Sequence, residues 1–254
     1  MTHAVEVASG LIVAVAAFVV LLTWRTLRRA HRRRGAVSKA RFEHQPEHRR
    51  ELAGLLDWTE ADLPELGNWK ITPDFACLVA TTVRDARPAR VLELGAGAST
   101  IVLARALGSA GVIASLEQDE GHAAATREDL RTRSLDRGTL VAHAPLEAWP
   151  DARTGEPDWF AASAIHGLPD SFGPPWDLVI VDGPSTVGRA DARLPALPRL
   201  LPYLSPRAVV LLDDAARPGE RAIVAAWRGM GLLAEFDIET LPLVRGAVVL
   251  RRRG

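Results

Sequence analysis

From residue 74 onward the chain alternates short apolar runs with longer helix-patterned stretches, and this alternation constrains its fold more than any other feature. The runs at 90–94 (RVLEL), 112–116 (VIASL), 139–142, 177–181 (DLVIV) and 208–212 (AVVLL) are too short for helices and too continuous for strands wetted on one face. They read as buried strands. Between them, Phe75 to Val83, Ser99 to Leu107, Glu120 to Ser134 and Glu220 to Arg228 fit helices, and two further strands fall near 232–238 and 245–251. Arg189 to Leu201 has a helical pattern but carries Pro195 and Pro198, so a broken helix is expected there. The alternation predicts an α/β architecture: a Rossmann-like, doubly wound, seven-stranded and mostly parallel sheet with helices on both faces. Ligands of such sheets sit beyond the carboxyl ends of the strands, where strand order reverses. The residues just after each strand are therefore the ones that carry chemistry.

The first strand runs into Glu93-Leu94-Gly95-Ala96-Gly97-Ala98-Ser99-Thr100. Gly95 and Gly97 let the backbone turn tightly and approach a ligand, and Ser99 or Thr100 opens the next helix. NAD, FAD and S-adenosylmethionine sites all use such a bend. Two details separate them. Thr100 stands where a dinucleotide site has its third glycine, which there allows close helix–strand packing. Glu93 puts a carboxylate at the end of an apolar strand, where it would repel a pyrophosphate and attract an ammonium or a sulfonium. The second strand ends at Leu116-Glu117, and a carboxylate there can accept both ribose hydroxyls of a nucleoside. Glu117 suits either kind of cofactor.

The blocks VLELGAGAST, SLEQDE, VAHAPLE and WDLVIVDGP resemble, in that order, the first four motifs of the class I S-adenosylmethionine-dependent methyltransferase family. The resemblance spans roughly residues 68–250. It is nearest to a bacterial subgroup with a GASTxxLA start, DGP after the fourth strand and DDA after the fifth, itself similar to catechol-type O-methyltransferases. It implies S-adenosylmethionine as cofactor. Glu93, Gly95 and Gly97, with Ala96 and Ser99, would surround the methionine end. Glu117 would hold the ribose and Gln118 would lie beside the adenine. Ala144 and Pro145, with Leu146, would form the far adenine wall, although this block departs from the polar residues usual there. Asp182 would sit between cofactor and acceptor.

Methyl transfer to oxygen needs a base or a cation, because an ordinary hydroxyl is scarcely ionised at neutral pH. Asp182 follows the fourth strand, and Asp213 and Asp214 end the fifth. Neighbouring strands lie about 4.8 Å apart, so these acids can converge on one hard cation such as Mg²⁺. In catechol-type enzymes the matching positions are an Asp and an Asp-Asn pair; Asp214 stands in place of the Asn. Without a metal, Asp182 can itself accept the proton. A structural alternative has Asp213 or Asp214 capping a helix and Asp182 bracing the Gly183-Pro184 turn. His143 and His166 are lesser candidate bases. The insertion from Glu147 to Trp176 carries Trp149, Trp159, Phe160 and Trp176, which either cover the acceptor or pack on the sheet edge.

Charge is divided unevenly. Residues 1–50 hold ten Lys/Arg against three Asp/Glu, a net of +7, and residues 51–254 hold twenty-one against twenty-eight, a net of −7. An acidic catalytic region argues against nucleic acid as partner. The single Cys77 forms no internal disulfide, and no His/Cys cluster suggests zinc. Val7 to Trp24 carries no formal charge and is followed by Arg25, Arg28, Arg29, Arg32, Arg33 and Arg34. As a helix this run spans roughly 27 Å, close to the apolar thickness of a bilayer. Its basic flank would place the rest of the chain in the cytoplasm. The expected organisation is an N-terminal transmembrane anchor at 1–34, a linker and accessory helical region at 35–67, and a methyltransferase domain at 68–254. The leading expectation is an O-methyltransferase at the cytoplasmic membrane face, acting on a small-molecule, sugar or lipid-linked hydroxyl. An NAD-dependent oxidoreductase and a non-catalytic, membrane-tethered S-adenosylmethionine-binding protein are the competing readings.

Overall fold

A computed structural model describes residues 45–148, 157–186 and 189–254, with the backbone alone at 157 and 158. The predicted anchor, its basic flank and Trp149 lie outside these residues. Among the described residues no helix is long and apolar enough to cross a membrane. Residues Pro46–Gly254 form one compact unit. Its elements are α1 (Pro46–Leu56), α2 (Pro73–Ala86), β1 (Arg90–Leu94), α3 (Ala98–Leu107), β2 (Val112–Glu117), α4 (Glu120–Thr132), β3 (Thr139–His143), β4 (Leu146–Ala148) and β5 (Pro157–Phe160). There follow α5 (Ala162–His166), β6 (Trp176–Val181), α6 (Ala196–Leu200), β7 (Leu204–Asp213), α7 (Pro218–Gly229), β8 (Phe236–Leu241) and β9 (Ala247–Arg252).

The main sheet has seven strands in the order β3-β2-β1-β6-β7-β9-β8. β1, β2, β3, β6 and β7 pair in parallel, and β9 runs antiparallel to both β7 and β8. The sequence pattern predicts seven mostly parallel strands; the sheet is mixed because β9 is reversed. Only residues 242–246 separate β8 from β9, too few for the crossover that a parallel pair requires. Register follows from alternation. Val91, Ile113, Leu178, Leu211 and Val249 point to one face, beneath α1 to α4. Leu92, Leu116, Val179, Leu212 and Leu250 point to the other, beneath α5 to α7. Both faces are covered by apolar side chains, which is why these strands read as unbroken apolar runs.

Local signals set the helix ends. Pro73 and Pro218 occupy first-turn positions, where a missing N–H costs nothing. The Asp119 side chain accepts from the His122 N–H at 2.8 Å and caps α4. The helical pattern at 189–201 shrinks to five residues, Ala196–Leu200. Sequence periodicity misses β4 and β5, a small antiparallel pair apart from the main sheet. Trp159 and Trp176 are fully buried core residues, so for these two the packing alternative holds.

Candidate active site

The order of the sheet reverses between β1 and β6, and the cleft opens beyond the carboxyl ends of β1, β2, β6 and β7. It encloses about 420 Å³, within the range of small-molecule sites. The bends after β1 and β6 lie back to back. Leu94 O accepts from the backbone N–H of Asp182 at 3.0 Å and of Gly183 at 2.5 Å. Gly95 has φ +96°, and a Cβ there would stand 3.0 Å from Gly183 N. A Cβ on Gly183 would stand 2.9 Å from Gly95 N. Both positions therefore exclude side chains.

One end of the cleft is formed by Gly95, Ala96, Glu117, Gln118, Asp119, His122 and Phe160. Glu117 is fixed by two backbone amides: Oε2 accepts from Ala96 N at 3.0 Å and Oε1 from Asp119 N at 2.9 Å. Each oxygen keeps a lone pair for a further donor, the arrangement a ribose diol requires. Gln118 Oε1 accepts from Ser185 N at 3.0 Å, tying the β2 loop to the β6 loop.

Glu93 departs from its predicted place. It is 0% exposed and does not border the cleft. Its Oε2 accepts from Thr100 Oγ1 and Ser115 Oγ, each at 2.6 Å, and Thr100 Oγ1 accepts in turn from Gly97 N at 2.9 Å. Glu93 thus braces the glycine bend from below. The same contacts explain why Thr100 replaces a third glycine. Burial pushes the Glu93 carboxyl up to about 7, against the opposing pull of the Ser115, Ser99 and Thr100 hydroxyls. Ser99, Gly97, Ala144 and Pro145 also lie off the cleft wall. Gly97 shapes the bend, and Ala144 is fully buried with its N–H on Glu117 O at 2.8 Å. Phe160, from β5, borders this end of the cleft.

The other end gathers the predicted acids. Ligand atoms of Asp182, Asp213 and Asp214 all lie within 4.8 Å of one another. Asp182 and Asp214 border the cleft, whereas Asp213 is sealed beneath it. Burial raises Asp182, with Asp214 adding to the shift and Arg193 opposing it. Asp213 is raised well above the ordinary range by burial and by its two acidic neighbours.

Three arginines that sequence reading missed complete this end. Arg193 Nη2 donates to Asp182 Oδ1 at 2.9 Å and to the Asp182 carbonyl, and Nη1 reaches Asp214 Oδ2 at 3.3 Å. Arg217 Nη1 meets the same Asp214 oxygen at 2.9 Å. Arg245 holds the carbonyls of Asn68 and Lys70, with its Nε 3.9 Å from Asp214 Oδ1. Between those carbonyls, Trp69 stands 89% exposed on the cleft rim. In a chain so rich in arginine no spacing singles these three out; Arg217, three residues after Asp214, comes nearest to a legible signal. His143 is half-exposed beside Glu120, and His166 lies with Tyr203 in a separate pocket of about 150 Å³.

The sequence model of a methyltransferase-domain family matches residues 92–215. Residues 92–215 are therefore a methyltransferase domain. Solved methyltransferases share its fold. An O-methyltransferase from Bacillus cereus in complex with SAH superposes with a TM-score of 0.57 at 20% identity, covering 86% of this chain and 97% of that one. A Klebsiella pneumoniae protein described as an O-methyltransferase gives 0.56 at 20% identity, covering 82% and 90%. TomG, an O-methyltransferase from Streptomyces achromogenes in complex with SAM, gives 0.54 at 21% identity over 82% and 90%. No curated protein matches by sequence. The methyltransferase site fits its cofactor on its own chemistry: side-chain-free glycines at the bend and a fixed, acceptor-only carboxylate at Glu117. For a divalent metal the fit is divided. The donors are all oxygen and two of them, Asp213 Oδ2 and Asp214 Oδ1, are buried without hydrogen-bond partners; the surrounding arginines already supply most of the positive charge.

Proposed function

We propose that this methyltransferase methylates a hydroxyl oxygen of a small-molecule, sugar or lipid-linked acceptor, and does so at the cytoplasmic face of a membrane. The observation that carries the oxygen assignment is Asp182. One of its oxygens is held by Arg193, and Oδ2 has no hydrogen-bond partner among the described residues. Its side chain is 25% exposed on the cleft. Bound S-adenosylmethionine supplies a methyl carbon activated by its sulfonium. Asp182 Oδ2 accepts the hydroxyl proton as the new C–O bond forms and the C–S bond breaks, the sulfur keeping the bonding pair. Burial raises the basicity of this carboxylate, which suits a proton acceptor working near neutral pH. Trp69 on the rim offers apolar surface to the acceptor. The resemblance to solved enzymes described as O-methyltransferases supports the same reading.

The unpartnered oxygens of Asp213 and Asp214 favour a second reading. In it Mg²⁺ would be held by Asp182, Asp213 and Asp214 and would supply Lewis acidity toward the acceptor hydroxyl. The membrane location rests on the apolar run Val7 to Trp24 and its arginine flank.

Labelled cofactor incubated with the full chain and a cell extract, followed by mass spectrometry, identifies the acceptor and the methylated atom. Asp182→Asn is expected to lower transfer by about 10²–10⁴-fold while S-adenosylhomocysteine still binds. Unchanged transfer in that variant, or an N-methylated product, sinks the oxygen assignment. The full chain is expected in the membrane fraction and a chain lacking residues 1–34 in the soluble one; co-fractionation of the two removes the anchor.

A further inference from the structure

We propose that Arg193 is the built-in cation of this active site: its guanidinium takes the place a divalent ion would have, and the acidic cluster binds no metal. The residue is 3% exposed and comes from the turn region before α6. Its two terminal nitrogens reach across the ends of two neighbouring strands. Nη2 takes Asp182 at the end of β6 through both its carbonyl and Oδ1. Nη1 takes the Asp213 carbonyl at 3.2 Å and Asp214 Oδ2 at 3.3 Å at the end of β7. Nη1 also stands 3.5 Å from Glu220 Oε1, itself a buried acid in the first turn of α7. Gathering carboxylates from two strand ends is the mechanical task of an oxygen-ligated ion. The two terminal nitrogens of a planar guanidinium perform it here, and they cannot be chelated away.

Charge decides between the two cations. Asp182, Asp213, Asp214 and Glu220 bring four carboxylates, and Arg193, Arg217 and Arg245 stand within 4.0 Å of one or more of them. Three guanidiniums against four carboxylates leave one negative charge. A divalent ion would overshoot that excess and would face three fixed positive charges. The arginine fork also sets the orientation of Asp182, leaving Oδ2 for the acceptor, so Arg193 is a positioning residue. That last step rests on the function proposed above; the exclusion of metal does not.

The test titrates the purified full chain with Mn²⁺ followed by electron paramagnetic resonance, and melts it in EDTA and in Mg²⁺. The wild type is expected to show no stoichiometric site tighter than about 1 mM and the same melting temperature in both buffers. Arg193→Met leaves the carboxylates without their cation. It is expected to melt lower, to gain one Mn²⁺ site at least about tenfold tighter than any in the wild type, and to recover melting temperature in Mg²⁺. A merely structural arginine would not exchange for a metal. Arg193→Lys, which keeps the charge, is expected to exclude Mn²⁺ as the wild type does. A wild-type site below about 0.1 mM, or a folded Arg193→Met with no gain in affinity, overturns the proposal. If that variant does not fold, the wild-type titration decides alone. Methyl transfer is measured separately, with and without EDTA, so a chain that transfers no methyl group leaves the ion result standing.

Discussion

Glu117 shows how a strand end delivers a carboxylate to the cleft. The last residue of β2 lies at the cleft, and two backbone amides hold its carboxylate there at 2.9 and 3.0 Å. A bound ribose would donate two hydrogen bonds to this carboxylate, and removing its charge while keeping its shape would weaken both. A charged hydrogen bond contributes about 1.5–3 kcal/mol and a neutral one about 0.5–1.5, so the loss of about 1–1.5 kcal/mol at each of two bonds is expected to weaken S-adenosylhomocysteine binding to Glu117→Gln by about 30–150-fold. Calorimetry checks this, and wild-type affinity in the variant would remove Glu117 from the cofactor site. Glu93 went the other way for an equally local reason. It sits one residue before the strand end, paired with Ser115 and Ile180 across the sheet, so its side chain leaves from a sheet face and meets Thr100 of the covering helix. Sequence marked Glu93 as unusual and could not supply this direction. The arginines were hidden for another reason, since their partners come from elements distant in sequence.

Elements were legible wherever burial on both sheet faces forced continuous apolar runs. Arg90–Leu94 matches its predicted limits, and Val112–Glu117, Thr139–His143 and Trp176–Val181 do so within one residue. Pairing direction was not legible: nothing in AVVLRR says that β9 runs backwards, and only the short link from β8 does. The pair β4 and β5 escaped because a three-residue strand carries no periodicity. Helix α1 illustrates how a polar-looking stretch can be structural. Leu52 is 0% exposed and, with Ala53 and Leu56, enters the same apolar cluster as Phe75 and Val79 of α2. Leu52→Ala should therefore open a cavity and cost about 2–5 kcal/mol, seen as a lower denaturant midpoint of the full chain. A loss below about 0.5 kcal/mol, the size of a typical surface substitution, would mean that α1 is not part of the cooperative unit.

At the scale of the molecule, the buried acids give the fold a pH dependence of unusual sign. Most carboxylates of folded proteins are held below their ordinary values, so folding gains stability as they ionise. Here Glu93, Asp182, Asp213 and Glu220 are all raised, with burial as the leading cause. A raised acid holds its proton more tightly in the folded chain than in the unfolded one, so stability falls as pH climbs through that window. For Glu93 the window opens at 4.5 and closes at about 7, a span worth about 3 kcal/mol. Exposed pairs such as Lys70–Glu65 contribute too little to mask it. The wild type is expected to lose stability from pH 5 to pH 8. Glu93→Gln, which keeps an acceptor for Thr100 and Ser115 but cannot ionise, is expected to lose less. Denaturant unfolding across that range measures the difference, which grows with pH and levels off above about 7.5. Parallel curves for the two proteins would show that Glu93 titrates alike in both states, and that the glycine bend is not braced by a buried acid.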